Sequence, residues 1–89
     1  MNATTIKNVL ERTKAQQDRV AVGFAHRSFF VEDIQSIEHE ATDGQDTLFT
    51  VTGMVYDTGH SRQATPEEIY FQASEVVSLA RPAVIEGRE

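Results

Sequence analysis

The stretch TPEEIYFQASEVVSLARP, Thr65 to Pro82, admits two readings that lead to different folds. Thr65-Pro66-Glu67-Glu68 has the form of a helix start: a hydroxyl N-cap, proline at the first helical position and an acid three residues after the cap. Ile69, Ala73, Val76, Val77 and Ala80 then recur at helical spacing. Against this, Ile69-Tyr70-Phe71 and Val76-Val77 are strand-formers, and a kink at Ala73-Ser74 divides the segment into two short strands. Periodicity by itself favours the helix, so the rest of the chain has to weigh in.

Working outward, the preceding residues read as β-structure. Asp46 to Asp57 places Leu48, Thr50, Thr52 and Met54 on one face, with Phe49, Val51 and Val55 on the other, and Gly53 interrupts this pattern as a second bulge would. Thr42-Asp43-Gly44-Gln45 is an Asp-Gly turn, a strong hairpin signal. Before it, FFVEDIQSIEHEA (Phe29 to Ala41) is long for a strand. Its apolar residues Phe30, Ile34 and Ile37 cannot share one face, because 34 and 37 differ by an odd number. A bend or bulge near Glu32-Asp33 or Gln35-Ser36 restores a single buried face. Arg19 to Ala25 alternates with period two, as a half-buried strand does. The N-terminal residues form a helix capped by Thr4 or Thr5 and running to about Gln17, with a narrow stripe of Ile6, Val9 and Leu10. Thr58 to Ala64 is polar and reads as a loop.

Eighty-nine residues with 39 % hydrophobic content and seven aromatics make one domain with a modest core. The absence of cysteine removes disulfides, thiolate metal sites and a cysteine nucleophile. Self-association is then the expected source of extra stability. Without a membrane-length apolar run or a signal-like N-terminus, the expectation is a cytoplasmic protein with no membrane partner. The net charge of −6 is unevenly spread. Residues 1–27 hold five cations against two acids, +3, and residues 28–89 hold three arginines against twelve acids, −9. Broad phosphate binding by the whole surface is disfavoured. A local basic patch of Lys7, Arg12, Lys14 and Arg19 remains.

Three short patterns suggest chemistry and are weak. Val55-Tyr56-Asp57-Thr58-Gly59 resembles the catalytic triplet of aspartic proteases, which needs a second carboxylate; a turn at a strand end is the simpler reading. His26, His39 and His60, with Glu38, Glu40 and Asp57 as oxygen donors, have no ligand spacing, and surface histidines are expected. His26 to Glu38 resembles the C-terminal half of the LytTR DNA-binding domain over 13 residues only. No cofactor or metal is called for, and the chain is expected not to be an enzyme.

Helix, strand, long bent strand, strand, loop and a divided segment is the plan of the Sm/LSm family, and the residues resemble its bacterial branch, Hfq. Tyr70, Ala73, Val77, Arg81 and Pro82 match that branch's second signature; Ile34, Ser36, Ile37 and Glu38 match the first. Asn8, Leu10, Arg12 and the RVAV beginning at Arg19 fit its start. The resemblance spans roughly residues 6 to 84. It implies a mainly β protein: a short N-terminal helix (1–18), a strongly bent five-stranded antiparallel Sm-like (SH3-like) small barrel (19–82), and a tail (83–89). Under it, Ile69–Gln72 and Glu75–Leu79 become two strands, with Thr65–Glu68 a turn before them.

The resemblance further implies a homo-oligomeric ring of roughly five to seven subunits that binds single-stranded RNA. His39, Tyr70 and Gln72 would then contact bases near the pore, and Arg12, Lys14 and Arg19 would contact phosphates at the rim. The family's strand glycine is Glu32 here, its uridine-stacking aromatic is Glu40, and its lysine and histidine after the tyrosine are Phe71 and Gln72. The alternative is therefore a small β-barrel interaction or assembly module that binds no nucleic acid.

Overall fold

A computed structural model describes residues 1–42, 44, 46–57 and 65–80. It shows a mainly β protein, with an N-terminal helix α1 (Ala3–Ala15) and a five-stranded antiparallel sheet. The strands are β1 (Arg19–Gly23), β2 (Ser28–Ala41), β3 (Thr47–Asp57), β4 (Thr65–Gln72) and β5 (Ser78–Ala80), in spatial order β4-β3-β2-β1-β5.

The helix begins earlier than expected, at Ala3. Its cap is Asn2, whose Oδ1 accepts from the Thr4 amide at 2.7 Å and the Thr5 amide at 3.2 Å. A short amide side chain in extended backbone satisfies two orphan donors, which displaces the threonines as caps. Ile6 and Leu10 are fully buried beneath the helix. Buried Thr13 joins them because its hydroxyl donates to the Val9 carbonyl at 2.7 Å.

The long strand bends near Glu32-Asp33 as expected, but Phe30 does not join the buried face. It pairs with Tyr56 on the outer face, because two extra residues leave the parity of the strand unchanged. Glu32 pairs with Met54 and Ser36 pairs with Thr52, so β2 advances four residues while β3 advances two. Two extra residues leave Val31 and Ile37 on the same face and tuck Ile34 inward between them. Asp33 absorbs the turn at φ 51. Gly53 lies against this bulge: a Cβ there would meet the Glu32 carbonyl oxygen at 2.9 Å and the Ile34 Cα at 3.2 Å. The expected second bulge at Gly53 is thus absent, since its pairing with β4 runs unbroken through Gly53 and Glu67. The glycine serves the one bulge from the opposite strand. β2 and β3 form a hairpin at the expected place, with Gly44 at φ 81 and the Thr42 amide bonded to the Asp46 carbonyl at 2.9 Å; Asp43 and Gln45 of the expected turn lie outside the described residues.

The opening segment forms two strands. β4 starts at Thr65 rather than Ile69, because β3 is long enough to pair Val55 with Thr65 and Met54 with Pro66. Proline is tolerated there because β4 is an edge strand. The kink is a 3₁₀ turn, Ala73–Glu75, after which buried Val76 anchors the chain and β5 starts only at Ser78. Glu75 to Val77 are therefore joint, not strand. Arg81, Pro82 and the tail lie outside the described residues.

This joint also dictates the shape of the sheet. A flat five-stranded sheet would separate its edges by about 19 Å. Only Ala73–Val77 links edge strand β4 to edge strand β5. Three of those residues are in a 3₁₀ turn rising about 2 Å each, so the linker falls short unless the sheet curls. The sheet curls, but β4 and β5 do not pair, so the ladder stays open between them. Inside the curl lie Val20, Val22, Val31, Ile34, Phe49, Val51, Val55 and Phe71, closed at one end by Ile6 and Leu10.

Candidate functional site

Register decides which of the sequence-selected residues can act together. Tyr70 and Gln72 alternate onto the outer face of β4. Across β3, Thr50 links Tyr70 to Glu38, and Leu48 links Gln72 to Glu40. His39 pairs with Phe49, itself paired with Phe71, and so points to the inner face at the end of β2. The three base-contact candidates therefore do not converge within one protomer. The Tyr70 hydroxyl donates to Glu68 Oε1 at 2.7 Å, and this bond, with the neighbouring carboxylate charge, raises the phenol above its ordinary pKa. Gln72 is half-buried; its backbone amide donates to Glu75 Oε1 at 2.9 Å. The outer face around Tyr70 is acidic.

The basic candidates divide too. Arg12 and Lys14 are exposed in the last turn of α1, where cations complement the helix dipole. Arg19 is half-buried on the sheet's outer face. Its guanidinium lies 4.7 Å from the Phe30 ring centroid and donates from Nη1 to the Tyr56 hydroxyl at 2.7 Å. Phe30 and Tyr56 are themselves 5.2 Å apart. Arg19 is thus tied into a local cluster, whereas Arg12 and Lys14 reach into solvent.

A groove that includes Tyr70, but not Gln72 or His39, in its lining runs along the open side of the sheet. It encloses about 630 Å³ between the β1–β2 turn and the β4–β5 joint, with Phe24, Phe29, Ile69, Phe71 and Val77 among its walls. His26 and Arg27 from the turn and Ser74 and Glu75 from the joint stand on its polar side. The walls belong to a file of rings. Phe49 stacks on Phe71 at 5.6 Å, Phe71 meets Phe24 edge-on at 5.6 Å, and Phe24 meets Phe29 edge-on at 5.8 Å. The file ends at Arg27, whose guanidinium lies 4.6 Å from the Phe29 centroid. Edge-to-face pairs at these distances suit the ring quadrupoles. The volume falls in the range of small-molecule and nucleobase pockets. No local motif announces it, because its walls come from two stretches far apart in sequence, residues 24–29 and 69–77, brought together by the curl.

The other sequence patterns gain nothing from the fold. His26 and His39 lie on a turn and on a strand end, His60 lies outside the described residues, and no group of three metal-ligating side chains exists among the described residues. Val55 of the protease-like triplet is core and Asp57 ends β3, while Thr58 and Gly59 lie outside the described residues. No helix among the described residues is long and apolar enough to cross a membrane. A scan of family models and searches against curated proteins and solved structures found no match to this chain.

Proposed function

We propose that this chain is a cytoplasmic, non-enzymatic Sm-like protein that closes into a homo-oligomeric ring and binds single-stranded RNA. The observation that carries the reading is the open sheet: β4 and β5 are both edges, set near one another by a five-residue joint. Pairing β4 of one copy with β5 of the next satisfies both edges with a head-to-tail contact, which closes when the rotation per subunit allows. Exposed Val77, at 61 %, would be covered in that contact. For RNA, the groove beside the joint has aromatic walls for a base and Arg27 for a phosphate. Arg12 and Lys14, repeated around a ring, add a multivalent cationic surface.

The test pairs light scattering with RNA titration. The expected result is a discrete oligomer and binding to a single-stranded oligonucleotide that weakens steeply with salt. Arg27→Glu, or Arg12→Glu with Lys14→Glu, should abolish binding and leave the oligomer intact. A monodisperse monomer sinks the ring.

A second reading, an assembly module without nucleic acid, draws on the acidic outer face formed by Glu38, Glu40 and Glu68 around Tyr70. An oligomer that shows no RNA binding even at about 50 mM salt would establish that reading in place of the first.

A further inference from the structure

The joint between β4 and β5 is held on one side by the Met1 ammonium, which donates to the Ala73 and Val76 carbonyls at 3.2 Å each, and on the other by a different hairpin. Asp46, which precedes β3, accepts the Ser74 amide on Oδ1 at 3.1 Å and the Ser74 hydroxyl on Oδ2 at 2.6 Å, while Oδ1 also takes the Thr47 amide at 2.8 Å. Ser74 and Asp46 are 28 residues apart, so the carboxylate clasps the 3₁₀ turn from outside. Charge-assisted bonds of this kind are among the stronger ones a surface can offer.

Among the described residues, what lies beyond the clasp has little hold of its own. β5 contributes three pairs to β1, of which only Leu79 is even half-buried. One further bond joins the Val77 amide to the Gly23 carbonyl at 2.8 Å. By contrast, β3 is paired on both sides and places Phe49, Val51 and Val55 in the core. Such a difference in burial and pairing is what separates locally opening segments from the cooperative body.

We infer that the Asp46–Ser74 clasp controls whether β5 stays docked on β1, making β5 a detachable edge. With the clasp closed, the joint delivers the chain to β1. With it open, residues 77–80 leave β1 and uncover its edge, while Val76 and the rest of the core remain in place. The inference bears on the assembly proposed above without depending on it, because the Val77–Gly23 bond lies within one chain.

Native-state hydrogen exchange on the full chain tests it. Asp46→Ala should speed exchange of the Val77 amide by about tenfold or more, with the Phe49, Val51 and Val55 amides unchanged. Ser74→Ala, which removes one of the clasp bonds, should give a smaller rise in the same amide. An unchanged Val77 rate in Asp46→Ala overturns the inference. So does equal acceleration of Val77 and the β3 amides, which would mean that the clasp stabilises the whole body rather than β5.

Discussion

The β2–β3 hairpin and the β4–β5 segment are both β-structure, and they are built on opposite terms. β3 has partners on both sides and alternates buried and half-buried residues along nearly its whole length. β4 has one partner, exposes Thr65 to Glu68 outright, and buries only Phe71; β5 buries nothing fully. The hairpin is specified by packing, where a one-residue slip would turn Phe49 and Val51 to solvent. The edge segment is specified by its surroundings: the length of β3, the curl and the clasp. A strand held by its core resists change, and a strand held by its neighbours is free to serve as an interface.

The contrast can be broken most directly at Phe49, 1 % exposed and stacked on Phe71. Phe49→Ala should cost about 3–5 kcal/mol by the apolar burial lost and the cavity left, measured by chemical denaturation. A loss no greater than that of an edge substitution would erase the distinction. Gly53→Ala comes next. Its Cβ would press on the backbone of the bulge, which has no flexible side chain to yield, so a loss of about 1–3 kcal/mol is expected. Asp33→Gly should work in the opposite sense. Relieving a non-glycine residue at φ 51 should stabilise by about 0.5 kcal/mol, net of the added chain entropy.

The smallest effects on stability belong to the edge. Val77→Asp should change the unfolding free energy by less than about 0.5 kcal/mol, as exposed substitutions do, because Val77 is 61 % exposed. Light scattering should nonetheless show the oligomer lost, since the charge would be buried without a partner at the contact. A large stability loss with assembly intact would place Val77 in the body instead. Asp46 sharpens the point through pH. The Ser74 hydroxyl, then the Thr47 amide, hold its carboxyl below the ordinary aspartate pKa. A group depressed in the folded state stabilises above its unfolded pKa, and that contribution is lost as pH falls through the folded value. The protection of the Val77 amide, taken against its intrinsic exchange rate at each pH, should therefore fall in acid below the ordinary aspartate range, and Asp46→Asn should flatten that response.

Much of this architecture was legible along the chain. Alternation located β1 and the two faces of β3, the Asp-Gly pair located the hairpin, and the odd spacing of Ile34 and Ile37 required the bend. These are local signals, because side-chain period and turn chemistry act over a few residues. Besides the helix cap and the face of Phe30, three details were misread for one reason: each depends on a partner elsewhere. Gly53 marks the bulge of the opposite strand; Thr65–Glu68 extends because β3 reaches Asp57; β5 starts late because Val76 is drawn into the core.

The candidate site shows the same division. The sequence selected Tyr70, Gln72 and His39, which register then placed on two different faces. Of the groove's lining it selected Tyr70 as a base contact and missed the rings beside it. Composition, alternation and turn residues were enough to determine a helix and a bent hairpin, since each follows from the preferences of adjacent residues, whereas the division of the final segment ran against its own periodicity. The curl, the file of rings from Phe49 to Arg27, the clasp of Asp46 on Ser74 and the open edges were decided only in three dimensions. Their members lie far apart in sequence, and no periodicity links residues whose only relation is contact across a folded sheet.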